Sequence, residues 1–429
     1  MHIKFWYDTV IGNTFINNFI PQDKISNYIH QENLDNTQVE SLIPDYIKSL
    51  KEITPSFNLS ASIPYNEQQL TQGKNFVSYE PWYFEDWQNT SGAVSTIENK
   101  LCFENSFVKN WIDKYYDNIE ILVWFPLEPY GVFKRPQFFD SIHDQFPRNK
   151  IRFVFNSLKT PNWTKDVDWL IYKPFDHWWY DVQRIYKNFK DLPELDTNKK
   201  ATKFFSFYNY RYRLHRAVIY KDLLDSNLLD KADYTYNGLS FTVGEQYVRK
   251  YTDEHLRKIS ATPKNIDFET LITSDQFVKF TADTLKLEDD TTERLDMYKE
   301  NFFYTNSYLD LITEGGIIDN TDNLCITEKT YRSIVHGNIF LIIGQPGTLE
   351  YLKSFGIETF DDIFDESYDS VLHWYERWKI IKQNLIKWVN LGLDKQQQYY
   401  IKSFDKLRHN RNIILDRDFS VDIKNLFED

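Results

Sequence analysis

The sequence predicts an α/β fold built from two sheet-and-helix halves, followed by a helical segment. Its 429 residues exceed one ordinary domain, since domains average roughly 150 residues. Short apolar runs alternate with longer amphipathic stretches, which is typical of parallel sheets covered by helices. The alternation occurs twice, on either side of a polar stretch at residues 187–201 that we interpret as a linker. We therefore expect two domains that face a central cleft and bind ligands at the carboxyl ends of their strands.

The first half, which we assign to residues 1–195, contains four apolar runs of strand length. Strands are predicted at residues 2–7, 119–125, 150–155 and 169–172. Amphipathic stretches between them predict helices at residues 103–117 and 137–146. Residues 20–75, and residues 240–300 of the second half, show no pattern that predicts a helix or a strand.

The second half, which we assign to residues 200–370, repeats the alternation. Strands are predicted at residues 203–207, 307–312 and 338–344. Helices are predicted at residues 211–224, 327–336 and 348–354. The remaining segment, residues 371–429, follows a helical pattern that begins near residue 370, runs to about residue 407 and is broken near Gly392.

Composition and missing motifs exclude several classes of protein. The net charge of −13 disfavours broad binding to nucleic acid or to an anionic membrane. Two distant cysteines, Cys102 and Cys325, make no disulfide framework, and the start resembles no signal peptide. The cysteine usage fits a reducing cytoplasm, where we expect the protein, and no apolar run approaches the roughly 20 residues of a membrane span. The sequence contains neither of the glycine motifs that mark dinucleotide and P-loop sites. It also lacks the zinc-protease motif H-E-x-x-H, the C-x-x-C motif and the G-x-S-x-G nucleophile elbow.

Three arginines occur where the predicted strand 203–207 gives way to a helix. Arg211, Arg213 and Arg216 stand in a first helical turn, where acidic residues are usually favoured. Arginine offers a rigid fork of donors that matches phosphate, and a helix start adds unpaired N–H groups. The pattern predicts an anionic ligand. The alternative is a surface cluster of arginines paired with carboxylates.

The segment at the start of the predicted helix 327–336 carries a second set of polar residues. Thr327 is placed as the N-cap residue, with Glu328 and Lys329 in the first turn. Glu328 can accept hydrogen bonds from sugar or ribose hydroxyls, and Lys329 can neutralise a diphosphate. The alternative is that both are ordinary surface residues at a helix start. A third feature at the same predicted sheet edge is the turn Gly344-Gln345-Pro346-Gly347, whose backbone could contact a ligand. The alternative is that these residues only form a turn.

The run Ile326-Thr327-Glu328-Lys329-Thr330, followed by a helix, Gly337 and an apolar strand, resembles the donor-site motif of α-1,3-fucosyltransferases. It is similar above all to fucosyltransferase-like enzymes of viral and marine microbial genomes. The resemblance covers roughly residues 203–370. It implies a GT-B fold of two Rossmann-like domains facing a cleft, and a donor site that needs no metal. Glu328 and Lys329 match the family's motif directly, whereas Cys325 stands where the family often has tyrosine.

The resemblance also assigns roles to other residues. Glu314, at the end of a predicted strand, corresponds to a family glutamate at the cleft. Arg216 corresponds to an arginine that contacts the diphosphate, with Arg211 and Arg213 as substitutes. The candidate donor-binding residues are therefore Arg211, Arg213, Arg216, Glu314, Thr327, Glu328 and Lys329.

The candidate catalytic residues are Glu128 and Glu328. Displacement of the diphosphate by an acceptor hydroxyl requires a general base, and Glu128 follows the buried strand 119–125. Further carboxylates near strand ends are Asp8, Glu80 and Asp176. The pairs Asp166/Asp168 and Asp416/Asp418 have a spacing that can hold a metal, but neither follows a strand, so no metal is assigned.

These observations favour a glycosyltransferase that moves a sugar from a nucleotide-sugar donor, GDP- or UDP-linked, to a hydroxyl acceptor without another cofactor. The acceptor would be a glycan or another hydroxyl compound, and a modified nucleobase is disfavoured by the net charge. In a viral setting the location would be the host cytoplasm. The alternatives are a non-catalytic structural or sugar-binding protein that retains the fold, and an unrelated α/β enzyme.

Overall fold

The structure is a computed structural model of the chain, and it describes part of the 429 residues. The described residues are 2–6, 58–62, 74–79, 117, 119–125, 143–144, 146–155, 158–188, 192, 194–209, 213–236, 248–249, 252, 265–284, 304–315 and 324–428. The chain divides into two compact units, one formed by Met1–His177 with Asp418–Asp429 and the other by Trp178–Arg417.

The first unit is built on a six-stranded sheet in which every pair of neighbouring strands is parallel. Its spatial order is β2-β1-β3-β4-β5-β6, so the order reverses between β1 and β3. The strands are β1 (His2–Trp6), β2 (Asn58–Ser62), β3 (Lys74–Tyr79), β4 (Ile119–Phe125), β5 (Ile151–Phe155) and β6 (Leu170–Pro174). Ile121, Ile151 and Phe153 on one face of the sheet and Val154 on the other are fully buried, as is typical of a parallel sheet that is covered on both faces.

Arg152 of β5 holds the last helix of the chain, Ser420–Phe427, in the first unit. Its side chain is fully buried and bonds the Glu120 carboxylate through Nε and Nη2, both at 2.9 Å. Nη1 donates to the carbonyls of Leu426 at 2.9 Å and Glu428 at 3.0 Å. Lys173 Nζ donates to the same Glu428 carbonyl at 2.5 Å. These cations satisfy carbonyl groups that the carboxyl end of a helix leaves without intrahelical donors.

The second unit contains a four-stranded sheet, also parallel throughout, in the order β10-β9-β7-β8. The strands are β7 (Phe205–Asn209), β8 (Ala232–Tyr236), β9 (Leu309–Thr313) and β10 (Ile339–Ile343). β9 and β10 are buried along their whole length. The chain order reverses between β7 and β9. In open α/β sheets such a reversal is where ligands bind, outside the carboxyl ends of the strands.

Most of the described helices belong to this unit, and two of them, Leu214–Asp225 and Thr348–Ser354, begin shortly after the strands that precede them. In chain order the described helices are α1 (His177–Asn188), α2 (Leu214–Asp225), α3 (Ile266–Thr273), α4 (Asp275–Thr284), α5 (Glu328–Val335), α6 (Thr348–Ser354), α7 (Trp374–Asn390), α8 (Leu393–Lys402), α9 (Phe404–Asp416) and α10 (Ser420–Phe427). Trp374, Trp378 and Trp388 of α7 are buried and contribute large apolar surfaces to the core. Gly392, with φ of 77°, separates α7 from α8.

A buried polar network lies near the amino end of β9. Asp310 accepts hydrogen bonds from the hydroxyls of Ser206 and Ser333, the latter at 2.6 Å, and from Asn338 Nδ2 at 3.0 Å. Burial raises the pKa of Asp310 above its ordinary value, although these donors oppose the shift. Lys199 Nζ donates to Asn338 Oδ1 at 2.6 Å, and burial lowers the pKa of Lys199 to about 8. The network ties the segment that contains Lys199 to the sheet.

The α/β class and the parallel arrangement of the strands are confirmed. The strand at residues 119–125, the helix at residues 348–354 and the break at Gly392 fall where the sequence predicts them. The predicted helices 103–117 and 137–146 lie largely outside the described residues. Within the described part of the chain, no helix combines the length and the apolar character that a membrane crossing requires.

The units divide the chain differently from the predicted boundaries at residues 195–200 and 370–371. The division falls at His177 and Trp178, and the last twelve residues join the first unit. The reason is that α1 packs inside the second unit, with the Trp179 ring 5.2 Å from Tyr331 and 5.3 Å from Phe355. The predicted linker therefore belongs to the second unit, where Lys199 anchors it.

Candidate functional site

The candidate site lies where β7 and β9 end, at the reversal of strand order in the second sheet. The last residues of these strands, Asn209 and Thr313, are joined by a hydrogen bond from Thr313 Oγ1 to Asn209 Oδ1. Both side chains are buried, and α2 begins five residues after the last residue of β7. Polar residues at two adjacent strand ends are unusual in a core and mark the edge at which such sheets bind ligands.

Glu314, the residue that follows β9, connects the starts of α2 and α5. Its side chain is fully buried, and its carboxylate accepts from Thr327 N at 3.1 Å and from Thr330 Oγ1 at 2.5 Å. Its backbone carbonyl lies 3.0 Å from His215 Nε2, which must carry the proton because a carbonyl only accepts. Glu314 thus lies at the predicted strand end, but its carboxylate holds the first turn of α5 in place.

The first turn of α5 presents an ion pair. Thr327 is the N-cap residue as predicted, although its hydroxyl caps no N–H group and instead lies 3.4 Å from Lys329 Nζ. Lys329 Nζ bonds Glu328 Oε1 at 2.5 Å, and the Glu328 side chain keeps 14% of its surface exposed. Burial opposes ionisation, but Lys329 and Arg332 outweigh it and hold the pKa of Glu328 below its ordinary value. Glu328 is therefore an ionised hydrogen-bond acceptor.

Arg332, one turn further along α5, belongs to an aromatic cluster. Its guanidinium carbon lies 5.5 Å from the centre of the Tyr304 ring. Tyr304 stacks on His336, with ring centres 4.3 Å apart, and Tyr186 Oη lies 2.8 Å from His336 Nε2. Burial raises the pKa of Tyr304, so its hydroxyl remains protonated at neutral pH. The cluster stabilises the α5 face that carries Glu328.

The start of α2 is basic and has no acidic residue. Arg213 is its N-cap residue, with φ of −145° and ψ of 142°, and no side-chain cap hydrogen bond forms there. Arginine cannot provide such a bond, because its guanidinium group has only donors. Arg216 is 3% exposed, and its Nη2 donates to the Thr313 carbonyl at 3.2 Å. Two arginines therefore begin this helix, one half-buried and one bound to the end of β9.

At the third predicted feature, the turn before α6, a carboxylate of the protein itself accepts hydrogen bonds from the start of the helix. Gly347 is the N-cap residue, with φ of 82°, a backbone conformation that favours glycine. The Asp369 carboxylate accepts from Leu349 N at 2.9 Å and from Glu350 N at 3.0 Å. The N–H groups of this helix start are thus taken by Asp369, and the plain-turn interpretation of the sequence holds.

Most of the sequence-predicted residues meet at one place. The structure brings together Arg213, Arg216, Glu314, Thr327, Glu328 and Lys329. Arg211 and Glu128, like Asp8 and Glu80, lie outside the described residues. Asp176 follows β6 and is buried in the first unit.

Sequence reasoning missed Asn209 and Arg332. The only available signals were the position of Asn209 after an alternating apolar strand, and the one-turn spacing of Arg332 from Glu328. Among the residues that the structure describes, no group of three histidine, cysteine, aspartate or glutamate side chains is arranged to hold a metal ion.

Comparisons with known proteins leave the site to be interpreted on its geometry alone. No model of a known protein family matches the chain, and no curated protein matches it significantly.

Proposed function

We propose that this protein is a glycosyltransferase that transfers a sugar from a nucleotide-sugar donor to a hydroxyl acceptor. The observation that carries the proposal is the meeting of two helix starts beside the end of β9. One start carries Arg213 and Arg216, and the other carries Glu328 and Lys329. A nucleotide sugar needs both kinds of group, because it joins an anionic diphosphate to hydroxyl-bearing sugar rings.

Negative charge develops on the diphosphate when the bond to the sugar breaks. Preorganised cations and helix N–H groups stabilise such charge, and they act strongly where water is excluded. Arg213 and Lys329 are half-buried cations at the two helix starts and can serve this role. In the proposed reaction an acceptor oxygen bonds to the anomeric carbon, the diphosphate leaves with the bonding electrons, and a base takes the acceptor proton.

The electrostatics of Glu328 favour a binding role over the role of base. A general base works best when its pKa lies near the working pH. Lys329 and Arg332 hold the pKa of Glu328 below its ordinary value, which makes this carboxylate a weak base. It is well suited to accept hydrogen bonds from hydroxyl groups of a ribose or sugar. The base would then come from elsewhere, and Glu128 remains our candidate. The proposal includes a GT-B organisation, with the acceptor site on the first unit.

A thermal-shift panel tests donor binding. GDP, UDP, ADP, CMP and dTDP are added singly to the wild type, to Lys329→Ala and to the control Lys395→Ala, which removes an exposed lysine of α8. A ligand that binds only the folded state raises the melting temperature. We expect one nucleotide to stabilise the wild type and Lys395→Ala, and to stabilise Lys329→Ala much less.

Turnover is measured with the sugar conjugates of the nucleotide that binds, as release of free nucleotide with and without glycan acceptors. Binding followed by release of nucleotide supports the proposal. Binding without any release would favour the non-catalytic alternative. Absence of any nucleotide shift, with or without magnesium or manganese, would reject the proposed donor site.

A further inference from the structure

Three helices start at the carboxyl edge of the second sheet, and they differ in how their first turns are satisfied. Glu314 accepts an N–H bond at the start of α5, and Asp369 accepts two at the start of α6. The start of α2 has an arginine as its N-cap residue and no acidic residue in its first turn. Arginine replaces the favoured N-cap residues and offers no acceptor, so the positive end of this helix has no side-chain cap.

The side chain of Asn209 supplies a second and independent observation. It is 1% exposed, and its Oδ1 accepts from the Thr313 hydroxyl. Its Nδ2 is buried and has no hydrogen-bond partner in the structure. A buried donor without a partner destabilises the folded state, so most buried donors in native proteins are hydrogen-bonded. Because Asn209 ends β7 at the reversal of strand order, this donor lies where the sheet is expected to bind its ligand.

We propose that the Asn209 amide is a binding residue for the diphosphate of the donor, held at the start of α2. The inference rests on the proposed function for the identity of the ligand, but not for its anionic character. Nδ2 would donate to a diphosphate oxygen, the first-turn N–H groups of α2 would donate to others, and Arg213 would supply charge. Thr313 acts as a positioning residue, because its hydroxyl holds Oδ1 and thereby leaves Nδ2 as the group that donates to the ligand.

The surrounding charges favour an anion over a cation or a neutral group. Arg213 and Arg216 flank the start of α2, and a helix start carries partial positive charge. The carboxylate of Glu314, which directly follows β9, is hydrogen-bonded to Thr327 and Thr330 at the start of α5. The diphosphate is therefore assigned to α2, and the hydroxyl-binding role to Glu328 at α5.

Titration calorimetry with inorganic pyrophosphate tests the inference without any nucleotide. The proteins are the wild type, Asn209→Ala, Asn209→Asp and the control Asn227→Asp, which makes the same change at an exposed residue beyond the other end of α2. We expect Asn209→Ala to weaken pyrophosphate binding about tenfold or more, since a hydrogen bond to a charged group is lost. Asn209→Asp should weaken it further because it places a negative charge against the ligand, whereas Asn227→Asp should change it less than about twofold.

A second variant guards against misfolding of the Asn209 proteins. Thr313→Val keeps the size of the side chain and removes the hydroxyl that orients the amide, so we expect a loss of pyrophosphate affinity with Asn209 intact. Unchanged affinity in Asn209→Ala, or tighter binding in Asn209→Asp, would overturn the inference. If the Asn209 variants do not fold, unchanged affinity in Thr313→Val would overturn it.

The nucleoside diphosphate that the panel identifies and inorganic phosphate are titrated in parallel, which separates a nucleotide site from a site for free phosphate. Tighter binding of the nucleotide than of pyrophosphate, with the same sensitivity to Asn209→Ala, supports the assignment. Sensitivity to Asn209→Ala for inorganic phosphate alone would overturn it. Asn209-dependent pyrophosphate binding without nucleotide-sugar turnover would keep this inference and reject the proposed function.

Discussion

Glu314 is expected to be the residue on which the geometry of the candidate site depends most. Replacing it by alanine removes the acceptor of two hydrogen bonds and leaves Thr327 N and the Thr330 hydroxyl buried without it. Hydrogen bonds to a charged group contribute about 1.5–3 kcal/mol each. The two together predict a loss of about 3–6 kcal/mol in the free energy of unfolding for Glu314→Ala, a large share of the stability of an ordinary domain.

Glu314→Gln is the matched control, because glutamine has the same shape and keeps one carbonyl acceptor. Its amide can also donate to the Thr330 hydroxyl, so we expect a loss of only about 1 kcal/mol. Urea unfolding followed by tryptophan fluorescence reports on the second unit through its buried tryptophans, Trp179, Trp374, Trp378 and Trp388. A loss below about 1.5 kcal/mol in Glu314→Ala, or equal losses in the two variants, would refute the anchoring role.

Three further predictions concern other parts of the fold. Arg152→Met should destabilise the first unit by about 3–5 kcal/mol and speed amide hydrogen exchange in α10, because a buried charge pair loses one partner; unchanged exchange in α10 would contradict this. Burial lowers the pKa of Lys199 to about 8 from 10.5, so the folded state binds fewer protons than the unfolded state between these values. Stability should therefore rise with pH across that window, and urea midpoints of Lys199→Met should rise less steeply. Gly392→Ala should lower stability by about 1–3 kcal/mol although a Cβ there would meet no atom within 4 Å, because its φ of 77° and ψ of 158° lie in a region that is essentially restricted to glycine; an unchanged melting temperature would contradict this.

The apolar strands could be predicted from the sequence because burial on both faces leaves a continuous apolar run. β10 is such a strand, and both β10 and the largely apolar β4 fall within one residue of their predicted limits. β8 could not be predicted in the same way. It lies at the edge of its sheet and has polar residues, with Tyr234 41% exposed, so no apolar run marks it. The same holds for β2, an edge strand whose residues are small and polar.

The candidate site could be located from the sequence, but the roles of its residues could not. A glutamate after a strand, such as Glu314, can face a ligand or a neighbouring helix, and only the position of α5 decides between them. Asn209 was missed because β7 extends two residues beyond the predicted strand, so an apparent turn residue is a strand end. Hydrogen bonds between residues about a hundred positions apart, such as that from Thr313 to Asn209, leave no local pattern in the sequence.

The membership of the last twelve residues in the first unit sets the order in which the chain can mature during synthesis. The second unit is continuous and is complete once Arg417 has emerged, whereas the first unit begins with Met1 and needs α10. At about 5–20 residues per second, the 240 residues from Trp178 to Arg417 delay its completion by about 10–50 s. Until then the side chain of Arg152 lacks its two carbonyl acceptors. The first unit is therefore the first to begin synthesis and the last to complete its fold.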